Sequence, residues 1–298
     1  MLTVRSRRSV EFACNSKACA PPPVGTGGSG GSGMSVSKMA GLQYGQNRLK
    51  RSRSTGPMPD VDWQTGASRT GDEPMKGVVT TPGGRKYPVA WDEFDVGPKA
   101  ARDVINQYSK MLDLYPEMDA VPLALGRSAN IETFKRTYSD DPYHVSQFEM
   151  IINDDRGAVG FVVNRNNDSR AVMMGYTNKI GSDNLLEHPE MWGAATRGMT
   201  NDQRLQYVVT HEVGHMVYQH WAMRATAGQK ATEDIRLDGV RKRLAGSTDV
   251  GAYGRSNNDE MIAESFAMQS HGLTNTSILR DVTDFLLAGA PPRRVEWT

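Results

Sequence analysis

Thr200-Asn201-Asp202-Gln203-Arg204-Leu205-Gln206-Tyr207-Val208-Val209-Thr210-His211-Glu212-Val213-Gly214-His215-Met216-Val217 is the stretch on which the fold turns. It opens with a helix-start signature, Thr200 as N-cap and Gln203 three residues later as its capping-box partner. Leu205, Val208, Val209, Val213, Met216 and Val217 then recur at helical spacing, which predicts a helix from about Asn201 to Arg224. On that helix His211 and His215 lie one turn apart on one face, close enough to share a metal ion, and Glu212 sits beside the open coordination position as candidate general base. Gly214 costs about 1 kcal/mol relative to alanine in a helix interior, so something is expected to pack closely against it.

With 6 histidines in 298 residues, this pattern would arise by chance in roughly one chain in a hundred, so a third ligand is the next requirement. His220 follows His215 by five residues on the same helix, which turns its ring away from the metal face. The longer pattern with glycine at 218 and a third histidine at 221 is broken by Tyr218 and Trp221. There remains Tyr253-Gly254-Arg255-Ser256-Asn257-Asn258-Asp259-Glu260-Met261-Ile262-Ala263-Glu264-Ser265-Phe266-Ala267. Ser256 or Asn257 can cap a helix there, placing Glu260 and Glu264 one turn apart on a shared face. A buried acidic pair is costly without a cation, so that face is expected to meet one; a solvated acidic face is the plainer alternative.

These two motifs together resemble the catalytic domain of the anthrax lethal factor-like peptidases, a zincin metallopeptidase family, over about residues 201 to 271. The resemblance implies that His211 and His215 are zinc ligands and Glu212 the base. It gives Glu260 as the third ligand, Tyr253 as a stabiliser of the transition state, and Glu264 as a partner behind the ligands. The implied activity is zinc-dependent endopeptidase cleavage of a polypeptide substrate. Zinc held by two imidazoles and a carboxylate lowers the pKa of water toward about 7, so that Glu212 can accept a proton and return it to the leaving amine. The Tyr253 hydroxyl is the candidate donor to the developing oxyanion.

Composition frames this site. The chain is 38% hydrophobic and carries 30 glycines, so a sizeable part should lie outside the core. Residues 1–56 hold nine Lys or Arg and one acidic residue, a balance of +8, which leaves −7 on the remainder. Pro21-Pro22-Pro23 and the glycine-serine run from Gly25 to Gly33 read as a stiff segment followed by a flexible linker. A largely disordered, basic Pro/Gly-rich arm is therefore expected over residues 1–85. Cys14 and Cys19 alone cannot close a zinc site and read as a redox-sensitive pair or two free thiols. No long apolar run and no signal-peptide core follow Arg5, Arg7 and Arg8, so membrane insertion is not expected. The leader Cys19 to Gly28 is similar to those of some head-associated proteins of phages infecting actinobacteria, which implies a virion or the host cytoplasm as the setting.

Between arm and pentapeptide, a helix is predicted over Pro98–Leu114, a short strand over Val121–Leu125 and a helix over Ser128–Tyr138. Val145–Ile152, Ala158–Val163 and Ala171–Tyr176 read as an antiparallel meander, its last strand the edge beside the cleft. Helices near Thr232–Leu244 and Ser277–Leu287 complete an α+β domain of residues 86–298, a zincin-like fold with a small antiparallel sheet and an active-site helix. Three rival readings stand beside the endopeptidase. They are a phage virion structural or assembly protein whose zinc only staples the fold, non-specific nucleic-acid binding by the basic arm, and a zinc hydrolase acting on another substrate.

Overall fold

The computed structural model describes residues 61–64, 73–153, 160–165, 168–174, 193–194, 196–246, 250–251, 253–273 and 293–297. Cys14, Cys19, most of the basic arm and the helix expected over Ser277–Leu287 lie outside the described residues. Within them the architecture is mixed: six α-helices and one six-stranded sheet.

The sheet begins with a hairpin. β1 (Asp62–Trp63) pairs antiparallel with β2 (Met75–Thr80), which pairs antiparallel with β3 (Lys86–Trp91). The turn between β2 and β3 closes on Pro82-Gly83-Gly84, with Gly84 at φ +84° and its N–H donating to the Thr81 carbonyl at 2.8 Å. Met75 and Val79 alternate inward opposite Tyr87, Val89 and Trp91, as a half-buried pair of strands requires. The domain boundary expected at residue 86 therefore falls inside the sheet.

α1 (Pro98–Leu114) keeps the predicted bounds, with Gly97 as N-cap and proline in its first turn, and buries Ala101, Val104, Ile105, Tyr108, Met111 and Leu112 along one side. At its C-terminus the Arg85 guanidinium donates to the carbonyls of Leu112, Tyr115 and Met118, pairing groups that a helix end leaves without partners. β4 (Leu123–Leu125) follows, parallel to β3. Next come α2 (Arg127–Thr137), α3 (Pro142–Asn153) and the hairpin of β5 (Gly160–Arg165) and β6 (Asp168–Met174).

Two expectations are corrected here. Val145–Ile152 is helical, because the Asp141 side chain accepts the His144 backbone N–H at 3.2 Å and proline follows at the first helical position. Val145 and Phe148, three residues apart, then share the face that packs on Phe134 and Tyr138. The sheet is also mixed rather than a small antiparallel one. Its order is β1-β2-β3-β4-β6-β5, with β4 parallel to both β3 and β6. The expected edge strand, Ala171–Tyr176, is interior over its described residues: Ala171, Val172 and Met174 are buried, with β4 on one side and β5 on the other, and β5 is the edge on that side.

Both faces of the central strands are covered. Leu123, Leu125, Val172 and Met174 join the main core with α1, α4 (Asn201–Arg224) and α6 (Asn258–Ser270). Ala124, Val163 and Ala171 meet Phe134, Tyr138 and Phe148 of α2 and α3 on the other side. α5 (Ala227–Leu244) adds Leu237, Val240 and Leu244 to the main core. None of the described helices is long and apolar enough to cross a membrane.

Candidate metal centre

α4 has the predicted bounds and the predicted capping box: Thr200 Oγ1 accepts from the Gln203 N–H at 3.2 Å, and Gln203 Oε1 accepts from the Thr200 N–H at 2.9 Å. Leu205, Val209, Val213, Met216 and Val217 anchor it in the core. α6 begins at Asn257, whose side chain accepts from the Glu260 N–H at 2.9 Å, deciding between the two candidate caps. The helices meet at Gly214. A Cβ there would stand 3.0 Å from Ala263 Cα and 3.2 Å from the Ala263 carbonyl, so the glycine admits the close packing its sequence position implied.

This contact brings the two halves of the site together. His211 Nε2 lies 3.1 Å and His215 Nε2 3.4 Å from the same Glu260 oxygen, Oε2, and the rings stand 4.9 Å apart, nearly perpendicular at 81°. One donor atom from each of His211, His215 and Glu260 falls within 4.8 Å of the other two, and all three side chains are buried. Among the described residues this is the group that could hold a metal ion; His220, the nearest alternative by sequence, stands apart from it.

The donor set fits a tetrahedral ion. Bonds of about 2.0–2.2 Å keep tetrahedral ligands roughly 3.3–3.6 Å apart, close to the separations around Glu260 Oε2. The second Glu260 oxygen is buried without a hydrogen-bond partner among the described residues, as is one oxygen each of Glu212 and Glu264. Three carboxylates in one buried seam are costly unless a cation compensates them.

The electrostatics follow from that crowding. Burial opposes charge on His211, yet its bonds to Glu260 and Glu264 outweigh this and hold its imidazole well above the usual range. Burial likewise works against the Glu260 carboxylate, but His211 and His215 hold it far below the usual range. Glu212 lacks such a bond, and burial pushes it up to about 7 despite both imidazoles nearby. Glu264 Oε2 sits 3.3 Å from His211 Nδ1, on the far side of the ring from Glu260, and so orients it.

Two glycines shape the surroundings. A Cβ on Gly160, at the start of β5, would meet Glu212 Oε1 at 2.9 Å, so the edge strand runs directly against that carboxylate. A glycine inside a strand pattern is a signal of close backbone approach that sequence reading left unused. A Cβ on Gly254 would meet Glu264 Cγ at 2.7 Å, which lets the 3-10 turn Tyr253–Arg255 settle on α6. Tyr253 opens that turn, and the placement of its side chain lies outside the described part of the structure.

Behind the seam lies a network with no local sequence signal. Gln107 Nε2 donates to Thr210 Oγ1 at 2.8 Å, and Thr210 Oγ1 meets His271 Nε2 at 2.9 Å. The His271 ring stacks on Trp297 at 3.8 Å and 6°. Compared with known proteins, the chain matches no protein-family model, no curated protein and no solved structure.

Proposed function

We propose that this chain is a zinc-dependent endopeptidase. The observation that carries the reading is the convergence of His211, His215 and Glu260 donor atoms, with the buried carboxylate of Glu212 beside them. His211, His215 and Glu260 would hold the ion, whose Lewis acidity makes water a nucleophile near neutral pH. Glu212, buried beside the donors, would take up that water's proton on a carboxylate oxygen and hand it to the departing amine. Glu264 keeps the His211 ring turned toward the donor cluster. β5, open on one side among the described residues and passing over Glu212, offers backbone groups to an extended peptide. A metal that only stapled the fold would leave no role for Glu212, a buried acid at the donors with one oxygen lacking any hydrogen-bond partner among the described residues.

The test is direct. Elemental analysis of purified protein should find about one zinc per chain, and Glu260→Ala should lose it, since two imidazoles leave the ion under-coordinated. A proteome-derived peptide library should be cut by the wild type and left intact once a chelator is present. Cleavage that survives complete metal removal would sink the proposal.

A further inference from the structure

α4 carries His211 and His215, whereas Glu260 and Glu264 belong to α6, so the donor cluster exists only while two helices keep their relative rotation and slide. The contact of Gly214 with Ala263 fixes their distance at one point. Phe266 also packs on Gly214 and the Tyr207 hydroxyl meets the Glu264 carbonyl at 3.5 Å, so the helices touch along the seam, with Gly214 at their closest approach. An atom one helical turn from it, about 6 Å away, moves by about 1 Å for a rocking of ten degrees, more than a preorganised site tolerates.

A hydrogen-bonded fixed point lies at Thr210, one residue before the first imidazole. Its hydroxyl has one proton and two lone pairs, and all three are in use. The Gln206 carbonyl lies at 2.9 Å, one lone pair accepts from Gln107 Nε2 at 2.8 Å, and His271 Nε2 stands at 2.9 Å. With the hydroxyl proton on Gln206, His271 donates from Nε2; with the proton on His271, Nε2 accepts, and either way the three groups meet at one oxygen. The Nε2–H form leaves a bare lone pair rather than an N–H at Nδ1, which is buried and has no hydrogen-bond partner among the described residues. Trp297 stacks over that ring, and the Val295 N–H donates to the Ser270 carbonyl at 2.8 Å, so the segment 293–297 closes the far end of the seam.

We infer that Thr210 is a positioning residue for the metal centre: it ties α4, one residue before His211, to α1 through Gln107 and to the end of α6 through His271. Together with the close approach at Gly214, this sets where the two imidazoles stand relative to Glu260. The inference rests on the metal-site reading above and extends it to three residues that touch neither metal nor substrate.

The experiment is zinc affinity, measured by competition with a chromophoric chelator on the metal-free full-length protein, together with the visible spectrum of the cobalt-substituted form. Thr210→Val preserves shape and removes the oxygen. It should weaken zinc binding 10- to 100-fold, the scale on which supporting partners act, and shift the cobalt bands; Thr210→Ser should restore both. Should Thr210→Val fail to fold by circular dichroism, Gln107→Met, which removes only one donor, should show a smaller loss in the same direction. Folded Thr210→Val or Gln107→Met with wild-type affinity and an unchanged cobalt spectrum would overturn the inference while leaving the metal site standing. A wild-type protein that binds no zinc would overturn both.

Discussion

The two faces of the sheet are built on opposite plans. Against α2 and α3 the packing is aromatic and small. Phe134 stacks on Phe148 at 3.9 Å and 4°, Tyr138 joins them, and Ala124, Ala129 and Ala171 fill in below. On the other face, between α4 and α6, the chain buries His211, Glu212, His215, Glu260, Glu264, Thr210 and His271 in one seam. Buried ionisable groups oppose stability, and apolar replacements of similar shape often fold as well or better. Asp92 and Asp95, buried at the start of α2, accept from the Ser128 and Arg127 N–H groups, whereas the seam gathers its ionisable groups around one another, and that contrast points to chemistry at the seam.

The contrast is broken most severely at Glu212. Glu212→Gln should abolish proteolysis, a loss on the order of a thousandfold, because an amide cannot accept the proton. Zinc content should be unchanged. Thermal stability of the metal-free protein should hold or rise, since a buried acid displaced to about 7 is replaced by a neutral group. Peptide cleavage at the wild-type rate in this variant would show that the acid is not the base. Phe148→Ala probes the opposite face. It should lose about 3–5 kcal/mol of stability, as aromatic truncations in cores do. The protein that remains folded should bind zinc as tightly as wild type, measured by chelator competition at a temperature well below its melting point. Zinc lost along with the aromatic stack would mean that the two faces are not separable.

Tyr253 sharpens the comparison within the functional face. The transition-state role proposed for it rests on the sequence resemblance alone, and the 3-10 turn that carries it packs on α6 against Glu264 through Gly254. Tyr253→Phe should reduce turnover about a hundredfold with KM nearly unchanged, the size of one lost oxyanion donor. A rise in KM with turnover intact would instead make the hydroxyl a substrate-binding group.

What could be read in advance depended on how local the cause was. α1 and α4 have their predicted bounds because Pro98 and the Thr200–Gln203 box are punctuation written within four residues. α3 was misread because Val145, Phe148, Ile151 and Ile152 suit a strand by composition; the deciding signal was Asp141-Pro142 just upstream, which starts a helix. β2 and the turn after it fall within the expected arm, although Pro82-Gly83-Gly84 between Val79 and Tyr87 marks a hairpin. At the site, the pairing of His211 and His215 needed only helical spacing, whereas Glu260 needed a second motif. The parallel placement of β4 between β3 and β6, and the bond from Gln107 to Thr210 across 103 positions, have no local trace.

The smallest expected effect concerns acid. His271 is buried, and burial first, then the positive charges of Arg294 and Lys110, pull its imidazole down to about 3 from 6.5. Below pH 6.5 the unfolded chain therefore takes up a proton that the folded chain refuses until pH is near 3. Stability contributed by the neutral ring is complete above 6.5 and declines through that window, by up to about 1.4 kcal/mol per pH unit. His271→Gln keeps an amide donor for Thr210 and does not titrate. At pH 7.5 it should be the less stable protein, having lost the stack on Trp297. By pH 5 the gap between the two should have narrowed by roughly 1–2 kcal/mol in urea unfolding of the metal-free forms, since titrations elsewhere are shared and cancel in the difference. A gap that stayed constant from pH 7.5 to 5 would mean that His271 takes up its proton in the folded state. The acid sensitivity of this face would then lie with the carboxylates of the seam rather than with the residue that closes it.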